Sequence, residues 1–301
     1  PRPWSYQSWG AWAALPLRRA LRQLRRSFAV DLVHAHYAVP AGDAIRRADP
    51  GLPLVVSVHG HDVQGLGAGG PNVRRTLAQA GLVLANSRGT AERSEAMGAR
   101  ATRVVHLGTD LPVEPRRPPP PPTLVTVAHL AARKRHADVL EAVARLAGRY
   151  PSLRYLIVGD GPERESLRAR AAALGLADRV ELRGQIDPDR ARAAAQQASL
   201  FVMPSIQEAF GVAYIEAMAA GVPAIGCQGE DGPQEIAEAG PGIRLVPPRD
   251  PVVLAEAIDA LLSRPHMLEE LGREARETVR AHFTWEQCGR DTVDAYRSVL
   301  S

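Results

Sequence analysis

Residues 204–223 read Pro204-Ser-Ile-Gln-Glu-Ala-Phe-Gly-Val-Ala-Tyr-Ile-Glu-Ala-Met-Ala-Ala-Gly-Val-Pro223. Two glutamates, Glu208 and Glu216, bracket a Phe210-Gly211 turn. Glu208 precedes the helix that the turn opens, and Glu216 lies about one and a half turns inside it at ~3.6 residues per turn. The N–H groups of Gly211 and Val212 at such a helix start would point at a phosphate, helped by the helix dipole. The flanking carboxylates would accept hydrogen bonds from sugar hydroxyls. Upstream, Ser199-Leu-Phe-Val-Met-Pro-Ser205 reads as a strand ending in a loop, and downstream Gly221-Val-Pro-Ala-Ile225 begins the next strand.

The same alternation extends in both directions. After Pro122, strands are predicted at 123–128, 154–158, 180–183 and 243–246. Helices are predicted at about 136–148, after Pro162 through Leu174, at 188–197, at 251–263, and finally at 266–281 and 285–300. Before Pro115, strands are predicted at 31–36, 53–59, 81–85 and 103–107, with Ser87 as a helix N-cap. Strands separated by helices imply parallel sheets with ligands at the carboxyl ends. Five consecutive prolines, Pro118 to Pro122, follow Pro115-Arg116-Arg117 and predict a stiff spacer. The expected organisation is residues 1–114 as an amino-terminal domain, 115–122 as linker, 123–283 as a second domain and 284–301 as a helix crossing back.

A chain of 301 residues has room for two such domains. Its 45% hydrophobic and 23% charged residues are globular values. A net charge of +4 suits an anionic small ligand or membrane surface, and no base-reading motif points to nucleic acid. Cys227 and Cys288 make no disulfide framework, so a reducing, cytoplasmic setting is expected. No run of 18 apolar residues predicts a membrane span, and no secretory signal is visible. Residues 14–30 predict a helix with Leu17, Leu21, Leu24 and Phe28 on one face and five arginines elsewhere, preceded by Trp4, Trp9 and Trp12. Such a helix either lies on an anionic bilayer or packs on its own domain with a solvated basic face.

The Pro204-Ser205, Glu208-x-Phe210-Gly211 and Glu216-Ala-Met-x-x-Gly221 register resembles the E-x7-E motif of retaining glycosyltransferases of family 4. The resemblance covers nearly all of the chain. It implies an α/β, GT-B-like fold: two Rossmann-like domains with parallel sheets facing a cleft. The amino-terminal domain is expected to be incomplete, lacking its first strands, and such a fragment to turn over slowly. The implied activity is transfer of a sugar from a nucleotide-sugar donor, with retention and without a metal or other cofactor. The acceptor is unidentified, with a lipid-linked or cell-envelope glycan and peripheral contact with an anionic membrane as the expectation. Another GT-B enzyme, such as an epimerase or phosphorylase, and a non-catalytic nucleotide-sugar binder stay open.

The segment Leu124–Leu140 resembles the family's diphosphate-holding loop. Lys134, the only lysine among 37 basic residues, falls on the family's lysine. His129 stands in place of an arginine and Arg135 in place of a glycine, with Arg133 able to supply a second positive charge. Gly159-Asp-Gly-Pro162 matches a further family loop, and Ile186 is expected near the base. His59-Gly-His-Asp62 resembles His-Gly-x-Asp, which implies that His59 contacts the transferred sugar from across the cleft. Catalysis is therefore assigned to Lys134, Glu208 and His59, with donor binding by Arg133, Ile186, Phe210, Gly211, Val212 and Glu216. A rival reading gathers His34, His36, His59 and His61 on zinc. Glu230 and Asp231, where the family has a glycine-rich loop, either sense the sugar or acceptor, or cap a helix starting near Pro233.

Overall fold

A computed structural model describes residues 3–64, 68–112 and 121–301, with side chains described from residue 10 onward. Residues 113–120, most of the predicted proline spacer, lie outside the described residues, as do the side chains of Trp4 and Trp9. The chain forms two compact units, residues 1–107 with 286–301 and residues 108–285.

In the first unit, strands β1 (Val33–His36), β2 (Leu54–Val58), β3 (Leu82–Ala85) and β4 (Thr102–Val104) lie side by side in chain order, all parallel. β3 is buried along its whole length and β2 at all but Ser57. That is the expected state of strands covered on both faces. Ser87 caps the helix Arg88–Ala96, accepting the Thr90 N–H as predicted. The carboxy-terminal helix Trp285–Leu300 packs Ala295 with Val55, Leu82, Leu84 and Val105.

The basic amino-terminal helix differs from its prediction. It spans Pro3–Leu24, so Trp12 lies within it. Leu17 and Leu21 pack on the unit's core, but Leu24 is 46% and Phe28 64% exposed. The reason is the length of the layer beneath. Arg18 donates to the Arg47 and Ala48 carbonyls at the end of the helix Asp43–Ala48, and Arg25 already reaches the Pro50 carbonyl. Past Leu21 there is no helix left to cover. Gly10 permits the close approach at the other end, since a Cβ there would lie 2.3 Å from an Asp43 carboxylate oxygen.

The second unit holds a six-stranded parallel sheet: β5 (Thr123–Val127), β6 (Arg154–Val158), β7 (Val180–Gly184), β8 (Leu200–Val202), β9 (Ala224–Cys227) and β10 (Ile243–Val246). Their order is β10-β9-β8-β5-β6-β7. From β5 the chain winds outward through β6 to β7, then returns to β8 on the other flank of β5 and winds outward again. The order therefore reverses between β5 and β8, and the crevice at their carboxyl ends is where such sheets take ligands. Beneath it, Leu124, Ile157, Leu200 and Ile225 pack against Leu140, Val143 and Ile258 of the covering helices.

Candidate functional site

The loops that leave β5 and β8 meet at this switch point. After β5 the chain makes a short 3-10 turn, Ala132–Lys134, followed by Arg135 in the left-handed region (φ 57°) and the helix His136–Leu146. After β8 it runs through Met203–Phe210 to Gly211, also left-handed (φ 86°), and the helix Val212–Ala219. The Ile206 N–H donates to the Arg133 carbonyl at 2.8 Å, which ties the two loops together.

Lys134 and Glu208 form a buried ion pair across this junction. Ser205 Oγ donates to the same Glu208 oxygen at 3.0 Å, and Arg133 Nη1 lies 4.0 Å from it. Lys134 Nζ also approaches Met203 Sδ at 3.8 Å. The geometry places a carboxylate with a charged and a hydroxyl donor, beside a partly exposed guanidinium. Ser205 was missed in the sequence as a site residue, although its place three before Glu208 was its signal.

Gly211 is fixed by sterics. A Cβ there would come within 2.5 Å of the Tyr214 ring. No side chain caps the helix it opens. Phe210, by contrast, turns its ring into the unit and packs edge-on to Phe283, with ring centroids 5.9 Å apart. Its side chain is therefore taken up by the core of the unit. The β6 loop is pressed on the β5 loop: a Cβ on Gly159 would lie 2.0 Å from the Ala128 carbonyl, and the Leu130 N–H donates to the Asp160 carbonyl at 3.0 Å. Ile186, half-buried, follows the edge strand β7, two strands from β5.

Glu216 does not join the Lys134 cluster. Its carboxylate lies 3.7 Å from Arg192 of the helix Pro188–Gln196, and Arg192 also lies 3.7 Å from Asp110 and 3.4 Å from Asp189. Burial holds the Glu216 carboxyl above its usual range, with Arg192 drawing it back. In an arginine-rich chain, local pattern does not distinguish Arg192.

In the first unit, His59 is the N-cap of the short helix Gly60–Val63. The His59 carbonyl accepts the Asp62 N–H at 2.9 Å, while the Asp62 carboxylate accepts the His59 N–H at 3.0 Å. Asp62 also accepts the Ala38 N–H at 3.0 Å, and burial pushes its carboxyl up to about 6. His59 Nε2 faces His36 Nδ1 at 3.5 Å. The zinc reading of four histidines is corrected here. Both His34 ring nitrogens are engaged, by Tyr296 OH at 2.6 Å and Ser57 Oγ at 2.8 Å, and His61 is exposed. Among the described residues no three His, Cys, Asp or Glu side chains gather as a metal site.

The helix after β9 spans Asp231–Ala239, with Glu230 as its N-cap residue, in line with a helix start near Pro233. Among the described residues, no helix is long and apolar enough to cross a membrane.

Residues 109–278 match the family of glycosyl transferases group 1, and residues 1–113 match glycosyltransferase family 4. The chain belongs to the group 1 glycosyl transferase family. Relatives of this group 1 member include an exopolysaccharide phosphotransferase of Streptomyces coelicolor, 35% identical over 70% of this chain and 22% of that protein. Another is the lipopolysaccharide core biosynthesis glycosyltransferase LpsE of Rhizobium meliloti, 31% identical over 73% of this chain and 64% of that one. Matched stretches thus span less than two thirds of these relatives. Among solved structures, the sucrose-phosphate synthase of Thermosynechococcus elongatus superposes with a TM-score of 0.77 at 25% identity, over 95% of this chain and 78% of that one. Anabaena HepE, solved with UDP and glucose, gives 0.77 at 22% identity over 97% and 84%. With its four- and six-stranded parallel sheets, the group 1 member has a GT-B-like fold.

Proposed function

We propose that the protein is a retaining glycosyltransferase that moves a sugar from a nucleotide-sugar donor to a glycan or lipid-linked acceptor, without needing a metal. The observation that carries this reading is the Lys134–Glu208 pair, flanked by Arg133 and Ser205 at the sheet's switch point. Departure of a nucleoside diphosphate builds negative charge on phosphate oxygens, and fixed cations in a partly dry site stabilise that charge well. In the free protein the ion pair with Glu208 holds the Lys134 side chain in place. A bound diphosphate would compete for Lys134 and Arg133, leaving Glu208 lone pairs for sugar hydroxyls. The uncapped helix start at Gly211 and Val212 would add N–H donors. Glu216, its charge offset by Arg192, would accept from ribose hydroxyls. HepE, a protein of the same fold, is solved with UDP and glucose, which supports a nucleotide-sugar as the ligand class.

A screen of nucleotide-sugars by thermal shift, followed by transfer assays, tests the reading. A donor that raises the melting temperature should be consumed only with acceptor, and the product linkage should keep the donor's anomeric configuration by NMR. Lys134→Ala and Glu208→Gln should each slow transfer by about 100-fold or more. His59→Ala should also lower transfer. Donor consumption without acceptor would point to an epimerase, and absence of any stabilising nucleotide-sugar would end the proposal.

For the acceptor we propose a substrate at a cytoplasmic membrane face. Trp12, Leu15, Arg19 and Arg22 follow one another on one face of the first helix, with Trp12 82% and Leu15 65% exposed. Aromatic and basic side chains in that arrangement suit an anionic interface. Pelleting with anionic liposomes should exceed pelleting with neutral ones, and equal partitioning would reject this part.

A further inference from the structure

The loop after β9 offers Glu230 two uses, a ligand contact or a helix cap, and its geometry shows a third. Glu230 is the N-cap residue of the helix Asp231–Ala239, yet its side chain makes no capping bond to that helix. The carboxylate turns back toward the β8 loop, where Glu230 Oε2 accepts the Glu208 N–H at 2.8 Å. Two residues on, the Gly232 N–H donates to the Glu208 carbonyl at 3.3 Å. A Cβ on Gly232 would lie 2.0 Å from the Phe210 carbonyl oxygen, so the β9 loop lies directly on residues 208–210.

The Glu208 backbone needs such a partner. It follows Gln207, which is left-handed (φ 57°), and it sits in neither a helix nor a strand, so no ladder satisfies its N–H. A buried amide left unpaired is costly. Burial holds the Glu230 carboxyl above its ordinary range, and the Glu208 amide draws it back. The other side of the loop is held by the Ile206 N–H on the Arg133 carbonyl. Glu208 is thereby gripped from β5 and β9 at once, with its own carboxylate left to face Lys134 and Ser205.

We infer that Glu230 is a positioning residue for Glu208, fixing the backbone from which the Glu208 carboxylate reaches Lys134. Its consequence for turnover rests on the transferase reading above, whereas its consequence for the loop does not. Glutamine keeps an acceptor oxygen for the Glu208 amide, and alanine removes it.

Wild type, Glu230→Gln and Glu230→Ala are compared in the 301-residue chain by two measurements. Hydrogen exchange at the Glu208 amide should be slow in wild type and Gln, and about tenfold or more faster in Ala, as loss of one buried hydrogen bond implies. In transfer assays kcat should fall about tenfold in Ala and stay within about twofold of wild type in Gln, with donor KM little changed in both. Equal exchange in all three proteins overturns the inference. So does a Gln variant as slow as Ala, which would make Glu230 a group that needs its charge. If the exchange pattern holds while wild type transfers no sugar from any donor, the transferase reading falls and the positioning of Glu208 stands.

Discussion

Lys134 and Glu208, 74 positions apart in the chain, meet as an ion pair in which each side chain is only 10% exposed. Removing one partner of such a pair strands the other charge away from water. Lys134→Met should therefore destabilise the protein by about 3 kcal/mol, and Lys134→Met with Glu208→Gln should recover part of that loss. Urea unfolding of wild type, single and double variants measures it. A single variant with the wild-type midpoint would mean that the pair is better solvated than its burial implies.

Gly159 and Gly148 make a matched contrast. At Gly159 (φ 138°) an added Cβ would sit 2.0 Å from the Ala128 carbonyl oxygen, whereas at Gly148 nothing lies within 4 Å. Gly159→Ala should cost about 2 kcal/mol or more, from strain and displaced backbone. Gly148→Ala should be neutral or stabilising by up to about 1 kcal/mol. Similar melting temperatures for the two variants would contradict the packing of the β5 and β6 loops.

Arg135 occupies a left-handed position (φ 57°) while its guanidinium makes a two-pronged contact with Asp138 at 2.7 and 2.9 Å. Alanine would lose the contact and keep the backbone cost, and glycine would lose the contact and shed that cost. Arg135→Gly should therefore be about 1 kcal/mol more stable than Arg135→Ala. The reverse order in chemical denaturation would place the benefit elsewhere.

Two histidines set the acid limit. Burial lowers His34 and His136 from 6.5 to about 4. Between those values the unfolded chain binds the proton and the native one does not, so the stability they contribute is present above 6.5 and is lost as pH falls toward 4. For His136, 2% exposed, this amounts to about 3 kcal/mol across the window. Asp62 acts oppositely. Its carboxyl is raised from 3.8 to about 6, so its penalty is present above 6 and is relieved as pH falls toward 3.8. The urea midpoint should drop between pH 7 and pH 4.5, and His136→Gln should flatten that drop. A variant as acid-sensitive as wild type would assign the loss to other groups.

The limits of β6 at 154–158 and β10 at 243–246, and the Ser87 cap, agree with the sequence because they depend on short apolar runs and a local hydroxyl. Helical spacing grouped Leu24 and Phe28 with Leu17 and Leu21, to pack on the domain or to meet a bilayer, and they stand in solvent because the helix beneath ends near Ala48. Spacing reports a face, not what lies opposite it. Likewise, the departure at Arg135 from a glycine pattern was visible, but its left-handed backbone was not.

By itself the sequence determined the alternation of strands and helices, the position of Lys134 and Glu208 in loops at strand ends, and the family, since each is written in residues close to one another along the chain. Only the tertiary structure decided that β8 returns beside β5, that Glu208 meets Lys134 while Glu216 meets Arg192, and that Glu230 serves Glu208 instead of its own helix. These pairings join residues far apart in the chain, and burial with its demand for satisfied charges and amides selects among partners that local pattern leaves equal.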